Sequence, residues 1–209
     1  MSDICTRASS SATIFQVQEV AMEVTLRELV TIVHGMLFGG FFLMAIGGAI
    51  VMLLEWSSPD PEASPPRPAA RWRTIYLVAM VALGWAAVFS GAYVVYPWYR
   101  AVAPPGANLV AFPQRLLMSN PTTAGWHTLG MEWKEHVAWF APMVATMVGF
   151  VMLRHRAAWS ADGRLRRVVL GFAAVAFLAA AIAGGWGAMI NKAAPVRGGD
   201  TIQLWRSAP

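Results

Sequence analysis

Residues 29–54 read LVTIVHGMLFGGFFLMAIGGAIVMLL, twenty-six residues with no Asp, Glu, Lys or Arg. As a helix this run would be roughly 39 Å long, more than the ~30 Å hydrocarbon layer of a bilayer. It holds no alternation of polar and apolar faces, so a soluble core helix is a poor reading. Working outward, the same character returns three times, and the chain is expected to span a membrane four times, over about 28–54, 75–96, 132–153 and 168–190. The expected fold is all-α, an integral membrane four-helix bundle.

Composition agrees. Of 209 residues, 57% are hydrophobic and 13% charged, about half the charge of an ordinary soluble domain. Mean hydropathy is +0.50. The net charge of +5 comes from arginines at span ends, which argues against nucleic acid as a partner. Cys5 is the single cysteine, so disulfide frameworks and CxxC sites are excluded. Residues 57–66, Ser57 to Pro66 with four prolines, form an exposed linker. The loop 97–131 is the longest and carries Trp98, Tyr99 and Trp126, suited to the headgroup layer.

The arginines set an orientation. Arg67, Arg71 and Arg73 follow span one, and Arg154, Arg156, Arg164, Arg166 and Arg167 follow span three, whereas the middle loop has only Arg100 and Arg115. The positive-inside bias puts the two arginine loops in the cytoplasm and both ends outside, as expected for a bacterial inner-membrane protein. Residues 1–27 read as a polar N-terminal segment, 28–190 as the membrane domain and 191–209 as a short tail. Residues 1–21 lack the apolar stretch of a signal peptide, and translation is expected to start at Met22.

A faint internal echo suggests two pseudo-repeated helix hairpins. His34 precedes Gly47 by thirteen residues and His136 precedes Gly149 by thirteen, while Arg73–Gly91 and Arg167–Gly185 are both eighteen apart. Both histidines lie near the outer start of their spans. Facing imidazoles at matched depth can give one haem iron its two axial nitrogens, so His34 and His136 are the candidate metal ligands. Phe38 and Phe140, one turn on, are candidates for flanking the porphyrin. An equally open reading makes them interhelical hydrogen-bonding residues. Glu135 is the candidate catalytic group, exchanging protons with a quinone, although acidic residues at 132 and 135 also suit an ordinary helix start. A metal site from His34, His127, Glu132 and His136 is a further alternative, with Lys134 as a competing charge. Gly35, Gly39, Gly47, Gly48, Gly184, Gly185 and Gly187 permit close helix approach, and Pro142 should bend span three.

With His34 and His136 in apolar, small-residue surroundings, the chain resembles the four-helix membrane-bound b-type cytochromes. It departs from the two-haem members, because spans two and four have no histidine. The resemblance implies one haem b, a quinone as redox ligand, and other subunits of a membrane redox complex as partners. The expected function is then relay of electrons between a redox partner and the quinone pool. The alternative is a non-catalytic structural or assembly subunit of a larger complex. A transporter finds little support, since the span centres carry no charge.

Overall fold

The computed structural model describes residues 21–55, 67–155 and 162–206. The linker 57–66 and residues 1–20, upstream of the expected start at Met22, lie outside these residues. About 80% of the described residues are helical. Four helices are long and apolar enough to cross a membrane: α1 (Leu26–Glu55), α2 (Arg71–Tyr99), α4 (Pro121–Arg154) and α5 (Gly163–Ala193), with a short α3 (Pro113–Met118) in the middle loop. They mark a membrane protein.

Three of the four both begin and end within five residues of expectation. The exception is α4, which starts at Pro121 rather than 132. Asn120 caps it by accepting from the Thr122 amide (2.9 Å), and Pro121 sits at the first helical position, where a missing N–H costs nothing. Polar residues such as His127 and Thr128 hid this stretch within an apparent loop. At the opposite end α5 is capped by Asp162, which accepts from the Arg164 and Leu165 amides at 2.9 and 3.0 Å. Those amides hold its carboxyl below the usual range.

α1 packs beside α2 and α5, and α4 also packs beside α2 and α5, so α1 and α4 sit across from one another. Their shared core runs from Phe42, Ile46 and Leu53 on α1 through Leu77 and Met80 on α2 to Ala141, Val148 and Met152 on α4 and Ala173 and Ala176 on α5. Close approach rests on glycines that act as seats for large side chains. A Cβ placed on Gly84 would lie 2.8 Å from the Phe42 ring, and one on Gly91 2.7 Å from the His34 ring. One on Gly130 would lie 2.8 Å from the Trp186 indole, and one on Gly187 2.9 Å from Lys134 Nζ. In lipid no hydrophobic force drives helices together, so this steric fit carries the association.

A two-stranded antiparallel ribbon stands outside the expected all-α set of elements. β1 (Ala21–Thr25) pairs with β2 (Thr201–Arg206), Val24 opposite Ile202 and Thr25 opposite Thr201. Thr25 and Glu28 form a capping box that starts α1. Glu28 also accepts from Arg197 Nε at 3.1 Å, and Gly198 and Gly199, both at positive φ, turn the chain into β2. The first and last helices are thereby tied at one end, here called the ribbon end. The other, flanked by Arg71 and Arg154, is the arginine end.

Candidate functional site

At the ribbon end, regular α-helix gives way to wider π-helical turns at Val33–Gly40, Gly91–Val95, Trp126–Met131 and Trp133–Val137. Such turns are rare and gather at functional sites. Two have an identifiable cause. Pro97 lacks the N–H that would bond the Tyr93 carbonyl, and the Tyr96 amide reaches back five residues to Gly91. Pro142 likewise leaves the Ala138 carbonyl without its usual partner; the Ala141 amide takes it at 3.3 Å, while the Ala138 amide bonds Trp133. The bend expected from Pro142 is this break at residues 138–139.

Several polar side chains that make contacts between helices gather in or beside these turns. His34 is half-buried on α1, packed over Gly91 and bonded through Nδ1 to Ser90 Oγ of α2 at 3.0 Å. Ser90 in turn donates to the Ala86 carbonyl. From α4, Lys134 turns inward onto α5, where Nζ donates to the Ala183 carbonyl at 3.4 Å and lies within Coulombic reach of His34. Trp133 Nε1 donates to the Ala179 carbonyl one turn away.

Glu135 faces α2. Its Oε1 lies 3.8 Å from Arg100 Nη1, too far for a hydrogen bond. That oxygen is buried and has no hydrogen-bond partner, while the side chain as a whole is 26% exposed. Tyr96 lies alongside, with the Arg100 guanidinium over its ring at 5.4 Å. Next to this group, Tyr99 is 2% exposed and its hydroxyl meets His127 Nδ1 at 2.8 Å, while Gln114 of α3 meets His127 Nε2 at 3.3 Å.

One turn inward from Glu135, the seam between α2 and α4 is aromatic. Trp85 stacks on Phe89 at 5.3 Å, Phe89 meets Tyr93 at 6.1 Å, and Trp139 closes on Phe89 at 5.9 Å. Trp85 is fixed by a bond from Nε1 to Thr146 Oγ1 at 3.1 Å. Phe89 and Tyr93 remain exposed, so the seam opens sideways toward lipid.

The two histidines expected to share a centre are not brought together. His34 faces α2. His136 is 71% exposed, with its ring folded back on its own helix, Nδ1 3.0 Å from the Glu132 carbonyl and 3.4 Å from Glu132 Oε2. Phe140 shares that outward face and is exposed, while Phe38 is half-buried. Two imidazoles turned to different surfaces, on helices that sit across from one another, do not fit a single haem iron held within this chain. The alternative metal set disperses as well: among the described residues no three His, Cys, Asp or Glu side chains converge. The ionisable residue of α4 that turns onto α5 is Lys134, two positions before His136. The sequence signal for it was present, since a lysine within a span is itself a site candidate.

No family model matches the chain, and neither a curated protein nor a solved structure matches it.

Proposed function

We propose that this protein is a membrane-embedded subunit of a redox complex that exchanges protons with a lipid-borne quinone, with Glu135 as the proton-exchanging group. The observation that carries the reading is the Glu135 side chain at the head of a seam open to lipid, with a buried Oε1 that is ion-paired to Arg100 at 3.8 Å and has no hydrogen-bond partner. A carboxylate oxygen in that state is missing a donor, and leaving it so costs about 1–3 kcal/mol or more for a charged group. A quinol hydroxyl at the exposed edge of the side chain supplies a donor to the carboxylate. Arg100 borders the same oxygen and Tyr96 the same side chain, and the rings of Trp85, Phe89, Tyr93 and Trp139 offer a surface for an isoprenoid tail. On oxidation one quinol hydroxyl gives its proton to Glu135, the other hydroxyl releases its proton to water at the headgroup layer, and the two electrons pass to a redox centre of a partner subunit. In this reading the ribbon end lies outside the cytoplasm, the arginine end inside, and the spans form a bundle of two pseudo-repeated hairpins. Haem ligation by His34 and His136 is left out, because the geometry offers no shared iron.

The test uses the full chain in lipid nanodiscs, with a short-chain quinol titrated in and tryptophan fluorescence followed. Glu135→Gln should weaken binding at least tenfold, since a hydrogen bond to a charged group contributes about 1.5–3 kcal/mol. His136→Ala should bind as the parent does. Equal quenching of the parent and Glu135→Gln would remove the basis of the proposal. An absorption spectrum of the native protein with reduced b-type bands would restore the haem reading.

A second reading, a structural subunit without chemistry of its own, is favoured by one observation. Glycine seats at Gly48, Gly84, Gly91, Gly130 and Gly187 lock neighbouring helices together, a rigidity that suits a scaffold.

A further inference from the structure

At the arginine end a groove of about 660 Å³ lies between α1 and α2, lined by Met52, Trp72, Arg73, Ile75 and Tyr76. Its floor is fixed. The Tyr76 hydroxyl donates to the Ala45 carbonyl of α1 and rests on Gly48, where a Cβ would strike it. Met52 and Trp72 stand one turn nearer the arginine end on either side. Trp72 is 69% exposed, so the groove opens sideways to lipid. The lining covers little more than one helical turn, about 6 Å along the axis, too short to seat a partner helix. Its apolar walls suit the first part of an acyl chain. Arg73 lies among them and is the last charged residue before the uncharged run 74–99, which puts it where headgroups give way to hydrocarbon. Indole rings such as that of Trp72 prefer the same level.

We infer that this groove binds one phospholipid whose headgroup carries a net negative charge, with its phosphate on Arg73 and the start of one acyl chain against Met52, Trp72, Ile75 and Tyr76. A guanidinium meets a phosphate with two parallel N–H donors. Arg73 also makes an interaction within the chain, and five N–H donors let one guanidinium serve both partners. The headgroup's net charge matters because of the surroundings. Among the described residues at this end, the arginines of α2, α4 and α5 outnumber the acids Glu55 and Asp162, so the local field favours an anion over a zwitterion. Basic pockets between spanning helices are a recurrent seat for such headgroups. The groove lies at the opposite end of the bundle from Glu135, so the inference stands apart from the quinone proposal.

The experiment uses the full chain in mild detergent. Phosphatidylglycerol or phosphatidylcholine with identical chains is added, and retained lipid is counted by native mass spectrometry. The parent should keep one phosphatidylglycerol under conditions that strip phosphatidylcholine. Arg73→Gln should weaken that retention about fivefold, the contribution of one guanidinium beside an anionic headgroup. Arg154→Gln, which removes a cation from another helix at the same end, should change it little. Ile75→Trp, which fills the groove and keeps every charge, should weaken it as much as Arg73→Gln does. Equal retention of the two lipids, an equal loss in Arg154→Gln, or undiminished retention in Ile75→Trp would each overturn the inference, the last two by reducing the effect to general surface charge. The comparison of lipids on the parent needs no variant. Ile75 faces outward, so loss of fold is not expected to intervene, and circular dichroism of each variant checks that it has not.

Discussion

Gly84→Ala should lower the unfolding midpoint sharply, whereas Gly171→Ala should raise it. The two substitutions are the same chemistry on two membrane helices, and an added methyl relieves part of the backbone freedom of glycine in each, about 0.5–1 kcal/mol. The surroundings decide the sign. At Gly171 a Cβ meets nothing within 4 Å. At Gly84 it meets three atoms of the Phe42 ring, at 2.8, 3.1 and 3.2 Å, and Phe42 is buried in the shared core. The ring cannot swing away without displacing its neighbours, so the overpacking cost of about 1–3 kcal/mol exceeds the gain. Phe42→Leu should recover much of the loss in the double variant, because the shorter side chain vacates the contested space. Chemical denaturation in mild detergent, run as a double-mutant cycle, measures the coupling. Additive effects would show that Gly84 does not seat Phe42.

Lys134→Met should stabilise the protein. The ammonium is enclosed between α4 and α5 with a single long bond to a backbone carbonyl. Among the described residues the ion pairs are Arg100–Glu135, His136–Glu132 and Arg197–Glu28, none of which includes it. Replacing buried ionic groups with apolar side chains of similar size gains about 1–4 kcal/mol where the charge is poorly compensated. Methionine keeps the length and flexibility of the lysine stem, so the seat over Gly187 stays filled. A thermal midpoint unchanged or lowered in Lys134→Met would instead reveal an anionic partner for Lys134. Lys134→Glu should fail differently, by leaving a carboxylate against the Ala183 carbonyl.

How much of this was legible beforehand differs between the spans and their faces. Long apolar runs located the four helices, because bilayer thickness imposes a length that composition reveals directly. The inward position of His34 was legible too, since every ring-bearing or charged residue of α1 beyond its first turn must choose between lipid and helix. The face of His136 was not. Its helix passes through two π-helical stretches before the Pro142 break, and a rotation counted at 3.6 residues per turn no longer says which residue faces inward. Lys134 therefore occupies the interior where His136 was expected, and Glu132, His136 and Phe140 share the outward stripe. Glycine clusters announced close packing without naming its partners. Gly48 and Gly187 are seats, while Gly35 meets nothing, Gly91 stood only in the internal echo, and Gly84 and Gly130 stood in no motif. The strand Thr201–Arg206 was visible in principle as the run TIQLWR, but a ribbon is defined by its partner, which lies some 180 residues away in the chain.

That ribbon has a topological consequence. Because Ala21–Thr25 and Thr201–Arg206 are zipped together, the polypeptide forms a closed circuit, and no single cut can separate its halves by diffusion alone. Nicking the loop near Pro104-Pro105-Gly106 would yield two hairpins, α1 with α2 and α4 with α5, still fastened by backbone hydrogen bonds. Each fragment would carry one strand of the fastener, a built-in address by which separately synthesised halves find each other.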